Sequence, residues 1–187
     1  MKNFRILFFS TLFLLPGLCK AIEIEGVSIP ESAQVENRTL HLNGAGVRTK
    51  FFFDIYLASL YLEQPSSSAN EIINSKTTKR LTMDILYDEV TKEKLATGWE
   101  QGFRKNQSKE QMQALRGRLD RFNGFFVTVH KGNQITLDFH SDTTIHVRIN
   151  GNNTGIISGS DFQQALLAVW LGKDPAEKGL KNALLRR

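Results

Sequence analysis

Arg48 stands where an arginine can do chemistry. It follows Gly44-Ala45-Gly46 and precedes the apolar run at residues 51–62, which carries Tyr56 and Tyr61. A guanidinium stays charged, and its planar fork holds two oxygens at once. Beside an apolar wall it suits a hydrophobic molecule that ends in an anionic or carbonyl group. The glycines read as a tight turn delivering Arg48 onto the start of a long strand. In an unbroken strand Arg48, Lys50, Phe52, Asp54 and Tyr56 share one face, and Phe51, Phe53, Ile55 and Tyr61 share the other. Tyr56 is therefore the natural companion of Arg48. Eight residues of straight strand span roughly 26 Å. The two meet on one ligand only if the chain bends near the glycines or the ligand is long.

The other reactive residue types form no comparable group. His41, His130, His140 and His146 match no metal-ligand spacing, and the one cysteine is Cys19, so no metal site and no cofactor is expected. If a hairpin pairs about Asp142, Asp138 faces His146 and Thr136 faces Arg148, an outward-facing polar ladder. There is no Gly-x-Ser-x-Gly elbow and no phosphate loop. Lys50 and Lys94 are candidates for positive charge at a pocket mouth. Arg104, Lys105, Lys109, Arg116, Arg118 and Arg121 read as the solvated face of helices.

The N-terminus reads as a secretory signal peptide. Lys2 and Arg5 precede apolar residues 6–15, and Pro16, Gly17, Cys19 and Ala21 follow. That apolar stretch falls short of the roughly 20 residues of a spanning helix. We expect residues 1–21 as signal peptide, cleavage after Ala21, and residues 22–187 as one domain. The expected product is exported, periplasmic or secreted, without a transmembrane segment. It would hold no cysteine, so its core alone must stabilise it. The chain has 24 basic and 19 acidic residues. Losing Lys2, Arg5 and Lys20 leaves them close to balance, which removes the support for a nucleic-acid partner.

A sheet and helices must hold these residues. Ile22, Ile24, Val27 and Ile29 alternate with polar residues as short opening strands. Leu40 and Leu42 begin a strand running into the glycines, and Leu81, Met83 and Ile85 alternate again. Residues 51–62 are apolar on both parities, as a central strand covered on two faces would be. Leu95, Trp99 and Phe103 recur one helical turn apart after a Thr91 cap. Ser108 and Gln111 make a capping box ahead of Met112, Leu115, Leu119 and Phe122, and Asn123-Gly124 stops that helix. Trp99 and Phe103 lie on a helix suited to covering a pocket; the bland alternative is that both are core. Residues 125–150 read as a three-stranded meander burying Val127, Val129, Ile135, Leu137, Ile145, Val147 and Ile149. Its turns are Lys131-Gly132-Asn133 and Ser141-Asp142-Thr143. Ser160 and Gln163 read as a capping box over Phe162, Leu166, Val169 and Trp170. Asp174, Pro175 and Glu177 open a last helix that buries Leu180 and Leu184. Grouped strands with inserted helices give an α+β domain, its sheet largely antiparallel with helices layered on one face.

One family pattern joins these pieces. Gly44-x-Gly46-x-Arg48-x-Lys50 and Tyr56-x-x-x-x-Tyr61-Leu62 are followed by the 91–103 helix. The chain ends in Phe162-x-x-Ala165-Leu166-Leu167-x-x-Trp170-Leu171-Gly172 and the leucines to Leu185. Together they resemble the chalcone-isomerase-like superfamily, its exported bacterial branch most closely, over nearly all of residues 22–187. The resemblance implies an open-faced β-sandwich with a pocket between sheet and helices. The superfamily holds plant enzymes that close a chalcone into a flavanone and relatives that bind fatty acids without catalysis. In both, the arginine matching Arg48 engages the reacting oxygen or the carboxylate, and a tyrosine matched by Tyr56 belongs to the same site. The enzymes also carry a tyrosine near the turn between the central helices. Here that turn is Arg104-Lys105-Asn106-Gln107-Ser108, without one, and the chain between Arg48 and Tyr56 is several residues shorter. The resemblance thus implies a non-enzymatic exported binding protein for a small amphipathic ligand, a fatty acid or similar carboxylate. Arg48 and Tyr56 would hold the polar end, with Trp99 and Phe103 as candidate lining. The alternatives are an isomerase, an intramolecular lyase in which Arg48 stabilises a developing oxyanion, and a partner-binding envelope protein with a filled core.

Overall fold

The computed structural model describes residues 21–186; the expected signal peptide lies outside the described residues apart from Ala21. The chain opens with a separate hairpin, β1 (Ala21–Ile24) and β2 (Val27–Pro30), then enters the main sheet. That sheet takes β3 (Ser32–Val35), β4 (Arg38–Lys50) and β5 (Phe53–Leu62). After α1 (Ala69–Asn74) it takes β6 (Lys79–Ile85). β7 (Glu89–Val90), α2 (Lys92–Asn106), α3 (Lys109–Asn123) and β8 (Val129–His130) follow, with β7 and β8 paired in a small ladder of their own. β9 (Gln134–Phe139), β10 (Thr144–Ile149) and β11 (Asn152–Ser158) complete the sheet, and α4 (Ser160–Leu171) and α5 (Lys178–Leu184) end the chain. The seven strands run β11-β10-β9-β6-β5-β4-β3, every neighbouring pair antiparallel. This is the expected α+β fold, an open curled antiparallel sheet with a layer of helices.

Strand periodicity decides the core. Leu81, Met83, Ile85, Ile135, Leu137, Phe139, Ile145 and Val147 point under the helices, where they meet Trp99, Phe103, Leu115, Phe122, Phe162 and Trp170. Burying each such side chain stabilises the fold by about 1.5–3 kcal/mol. A smaller apolar group on the other face joins Ile29, Val35, Leu40, Leu42, Leu57 and Tyr61.

Gly44-Ala45-Gly46 does not form the expected turn. All three residues lie inside β4, and the glycines serve a close approach instead. A Cβ on Gly44 would stand 2.2 Å from the Ala183 carbonyl oxygen, and one on Gly46 2.6 Å from the Ala183 side chain. The C-terminal helix therefore rests directly on the strand. Asn43 reinforces the junction, its amide donating to the Leu184 carbonyl at 2.8 Å and the Ser66 carbonyl at 3.0 Å. Arg186 donates to the carbonyls of Leu42 and Asn43.

The turn comes at Phe51-Phe52, between the paired residues Lys50 and Phe53. Residues 51–62 are thus a hairpin tip and a strand, not one central strand. β6 ends at Ile85, opposite Tyr56, so the end of the hairpin extends past the ladder that covers the rest of β5.

The Thr91 cap and the Ser108–Gln111 capping box hold as expected, and Gly124 ends α3. The expected Ser160–Gln163 box does not form. Gly159 is the N-cap of α4, and Gln163 instead donates to the carbonyls of His140 and Thr144, both at 2.9 Å. α5 begins at Lys178, later than Asp174-Pro175 suggests. Asn106 takes the Asp174 backbone N–H at 3.0 Å and donates to its carbonyl at 2.9 Å. In the 125–150 segment Val127 is exposed, β8 pairs with β7, and the third strand beside β9 and β10 is β11.

Candidate functional site

Arg48 and Tyr56 are directly opposed in the β4–β5 ladder. Opposed residues project to one face about 5 Å apart. The distance of roughly 26 Å along a straight strand therefore does not arise, because the Phe51-Phe52 turn folds the two positions together. The Arg48 guanidinium carbon lies 5.5 Å from the Tyr56 ring centroid. Among the described residues no carboxylate lies within ion-pairing distance of Arg48. Glu177, near this end of the sheet, is occupied with the Thr49 backbone N–H at 2.8 Å.

Tyr56 is buried, and its hydroxyl oxygen accepts the Trp170 indole N–H at 2.9 Å. Burial pushes the phenol pKa above its ordinary value, against the opposing pull of the Arg48 charge. The phenol keeps its proton, and because Trp170 already occupies the oxygen as a donor, that proton is free for a further acceptor.

Two connected spaces meet at Arg48. An inner cavity of about 60 Å³ is bounded by Arg48, Tyr56, Met83, Ile85, Leu95, Trp99, Val169 and neighbouring side chains. An outer cleft of about 460 Å³ lies between the hairpin and α2, bordered by Arg48, Lys50, Phe51, Phe53, Tyr87, Lys94, Gly98 and Gln101. Arg48, Ile55, Val90, Lys94 and Gly98 border both. Glu89 and Glu93 share the rim with Lys50 and Lys94, so the mouth carries both signs of charge. The outer volume falls within the range of small-molecule sites.

Trp99 is nearly fully buried on the inner cavity, and its indole N–H has no partner among the described residues. A buried donor left unmade costs about 1–3 kcal/mol, so it is poised to gain from an acceptor brought by a ligand. Phe103, the other candidate lining residue, borders neither space. It is fully buried against Phe162, with ring centroids 5.2 Å apart, and belongs to the core. Tyr61 is on the opposite face, its hydroxyl donating to the Pro30 carbonyl at 3.1 Å. Sequence reasoning missed Gly98. Its signal was a glycine inside a helix, between Leu95 and Trp99, where alanine would be more stable. An added Cβ there would meet nothing within 4 Å, so the missing side chain is part of the cleft. Among the described residues no three His, Cys, Asp or Glu side chains are arranged to hold a metal, and no helix is long and apolar enough to cross a membrane.

The sequence profile described as chalcone isomerase-like matches residues 21–186. The chain belongs to the chalcone isomerase-like family. Among solved structures, it is similar to a fatty-acid binding protein of Arabidopsis thaliana, with a TM-score of 0.72 over 89% of this chain and 96% of that one. The two share 14% sequence identity, so the likeness is one of fold. No curated protein sequence matches the chain. Within this chalcone isomerase-like fold, Arg48 and Tyr56 sit where the sheet parts from α2 and leaves the inner face open.

Proposed function

We propose that the protein binds a small amphipathic molecule ending in a carboxylate, a fatty acid first among candidates, and releases it unchanged. One observation carries this reading. Arg48, without an acidic partner among the described residues, lies at the junction of an apolar cavity and an open cleft. The Tyr56 hydroxyl and the unpartnered Trp99 N–H add two neutral donors on the same cavity. Three donors and no acceptor of comparable strength suit an anionic oxygen pair. An alkyl tail in the cleft would contribute about 0.8 kcal/mol per buried methylene. Likeness of fold to a fatty-acid binding protein supports the reading without deciding it.

Turnover would need a group to move a proton. The titratable groups on the inner cavity are Arg48, Tyr56 and Lys94. Tyr56 is a weak acid made weaker by burial, and residues 104–108 bring no tyrosine to the site. Binding without catalysis is therefore the better account. The signal-like N-terminus supports an exported, periplasmic setting, which N-terminal sequencing of exported protein checks by whether the chain begins at Ile22.

The test is a paired titration of residues 22–187 with a long-chain fatty acid and the matching alcohol. A charged hydrogen bond contributes about 1.5–3 kcal/mol. Arg48→Ala should therefore weaken acid binding about tenfold to a hundredfold and leave the alcohol almost unchanged. Equal losses for both would remove the charge-pairing role. Failure of the wild type to take up either ligand would remove the function itself.

A further inference from the structure

We infer that the tip of the β4–β5 hairpin docks on a lipid bilayer, and that the cleft takes up and returns its ligand there; this rests on the function proposed above. Phe51, Phe52 and Phe53 are 84%, 96% and 55% exposed, and among the described residues they are the one run of consecutive exposed large hydrophobics. Scattered apolar side chains on a surface are ordinary, but three adjacent phenylalanines at a projecting tip are not.

The backbone makes the arrangement harder to dismiss. Phe51 is the first residue of a two-residue turn and has φ +58°. Two-residue hairpins place glycine, asparagine or aspartate at such a position, because a bulky side chain is strained there. Phe51 contributes nothing to the core in return. Stability alone would select a different residue, so the aromatic tip serves something other than the core.

Position connects the tip to the site. The same Phe51 and Phe53 border the cleft whose inner end is Arg48, so its mouth opens beside the tip. The exposed Lys50, its Nζ 5.9 Å from the Phe51 ring centroid, is placed to meet a headgroup phosphate as the rings enter the acyl region. Asp54, the nearest acid in sequence, is turned onto the Thr49 hydroxyl at 2.8 Å.

Shape favours a bilayer over a protein partner. A stable protein interface buries about 800 Å² per partner around a matching surface. Three phenylalanines at a two-residue turn supply less. A bilayer needs no matching surface. A short aromatic anchor with one cation binds weakly and reversibly, which is what repeated loading requires.

The test uses residues 22–187 with vesicles of phosphatidylcholine and of phosphatidylcholine with phosphatidylglycerol at 3:1. Phe52 borders neither cavity, so Phe52→Ser spares the site. Wild-type protein should float with the vesicles, more strongly with the anionic ones. Phe52→Ser should lower the partition coefficient about tenfold. It should also abolish the rise in fatty-acid transfer rate with vesicle concentration, while leaving vesicle-free fatty-acid affinity unchanged. Phe52→Trp should keep flotation and shift its emission to the blue on vesicles. Absence of flotation with normal ligand uptake would overturn the docking and leave the binding function standing. Flotation without ligand uptake in vesicle-free solution would overturn the binding function and, with it, loading at the bilayer. Self-association that Phe52→Ser abolishes, in place of flotation, would assign the tip to a second copy and overturn the proposal.

Discussion

Arg48 and the pair Arg80–Arg148 occupy opposite faces of one sheet and differ in what answers their charge. Arg80 holds the buried Asp138 carboxylate through Nε at 2.5 Å and Nη2 at 2.9 Å, and Arg148 holds it from the neighbouring strand. Both cations are satisfied from within. Arg48 has an apolar cavity, a phenol and an open cleft before it, and no carboxylate within ion-pairing distance among the described residues. The same residue type is structural on one face and left for an incoming anion on the other. The outer arginines should therefore be felt in stability, and Arg48 in binding.

The largest expected effect tests that division directly. Asp138→Ala leaves two partly buried guanidinium groups facing each other, and breaking a buried ion pair costs about 3–5 kcal/mol. Arg48→Ala should change stability by no more than about 0.5 kcal/mol. Urea unfolding of both variants decides it. A comparable loss in Arg48→Ala would make Arg48 another structural cation.

The two buried tyrosines give a sharper version. Tyr56→Phe strips the fully buried Trp170 N–H of its acceptor, which should cost about 1–3 kcal/mol and weaken fatty-acid binding as well. Tyr61→Phe removes a hydroxyl from the Pro30 carbonyl at a partly exposed position, and should cost less and leave binding unchanged. If Tyr61→Phe weakened binding as Tyr56→Phe does, the site would not be confined to the inner face.

Gly98 separates stability from function in the other direction. Replacing a mid-helix glycine with alanine stabilises by about 0.5–1 kcal/mol, and here the new methyl enters open space. Gly98→Ala should raise the melting temperature, and Gly98→Leu should fill the cleft and weaken ligand binding at least tenfold. Full affinity in Gly98→Leu would place the ligand elsewhere.

How far these contrasts were legible in the sequence depended on the kind of signal. Local rules carried well: Thr91 and Ser108 start their helices because a side-chain oxygen beside free backbone N–H groups is useful in any context. The alternation around Asp142 gave the Asp138–His146 and Thr136–Arg148 pairs in their observed register. The spatial relation of Arg48 and Tyr56 was misread, because they face each other across a hairpin and do not follow one another along a strand. An aromatic run reads as buried strand, and a glycine pair reads as a turn. Here α5, distant in sequence, claims the glycines for packing, and the exposed phenylalanines take the turn. Ser160 was misread in a similar way, because Gly159 caps α4 and Gln163 is drawn away to the β9–β10 turn. Tertiary neighbours, invisible locally, decided each case.

The smallest expected effect concerns protons on the outer face. His146 faces Asp138 across the ladder, lies against His140 with ring centroids 4.3 Å apart and the rings tilted, and has Arg148 two residues on and Asp142 in the adjoining turn. Glu36 lies 3.0 Å from His140 Nδ1 but is not aligned for a hydrogen bond. Burial foremost, then the charges of His140 and Arg148, pull the His146 pKa below its ordinary 6.5. The unfolded chain therefore binds the proton first as pH falls. The contribution of His146 is complete above pH 6.5 and declines below it, by at most about 1.4 kcal/mol per pH unit for one such group. Asp142, whose carboxylate is held below its usual 3.8 by hydrogen bonds from Thr144, acts only at lower pH. Burial raises the Asp84 pKa, so that group gains its proton first in the folded chain and offsets part of the decline. Unfolding free energies at pH 7.0, 6.0 and 5.0 should fall in the wild type and in Arg48→Ala alike, and fall less in His146→Gln. An unchanged slope in His146→Gln would move the proton to another histidine. A slope altered by Arg48→Ala would mean that the two faces are coupled, against the division drawn from their arginines.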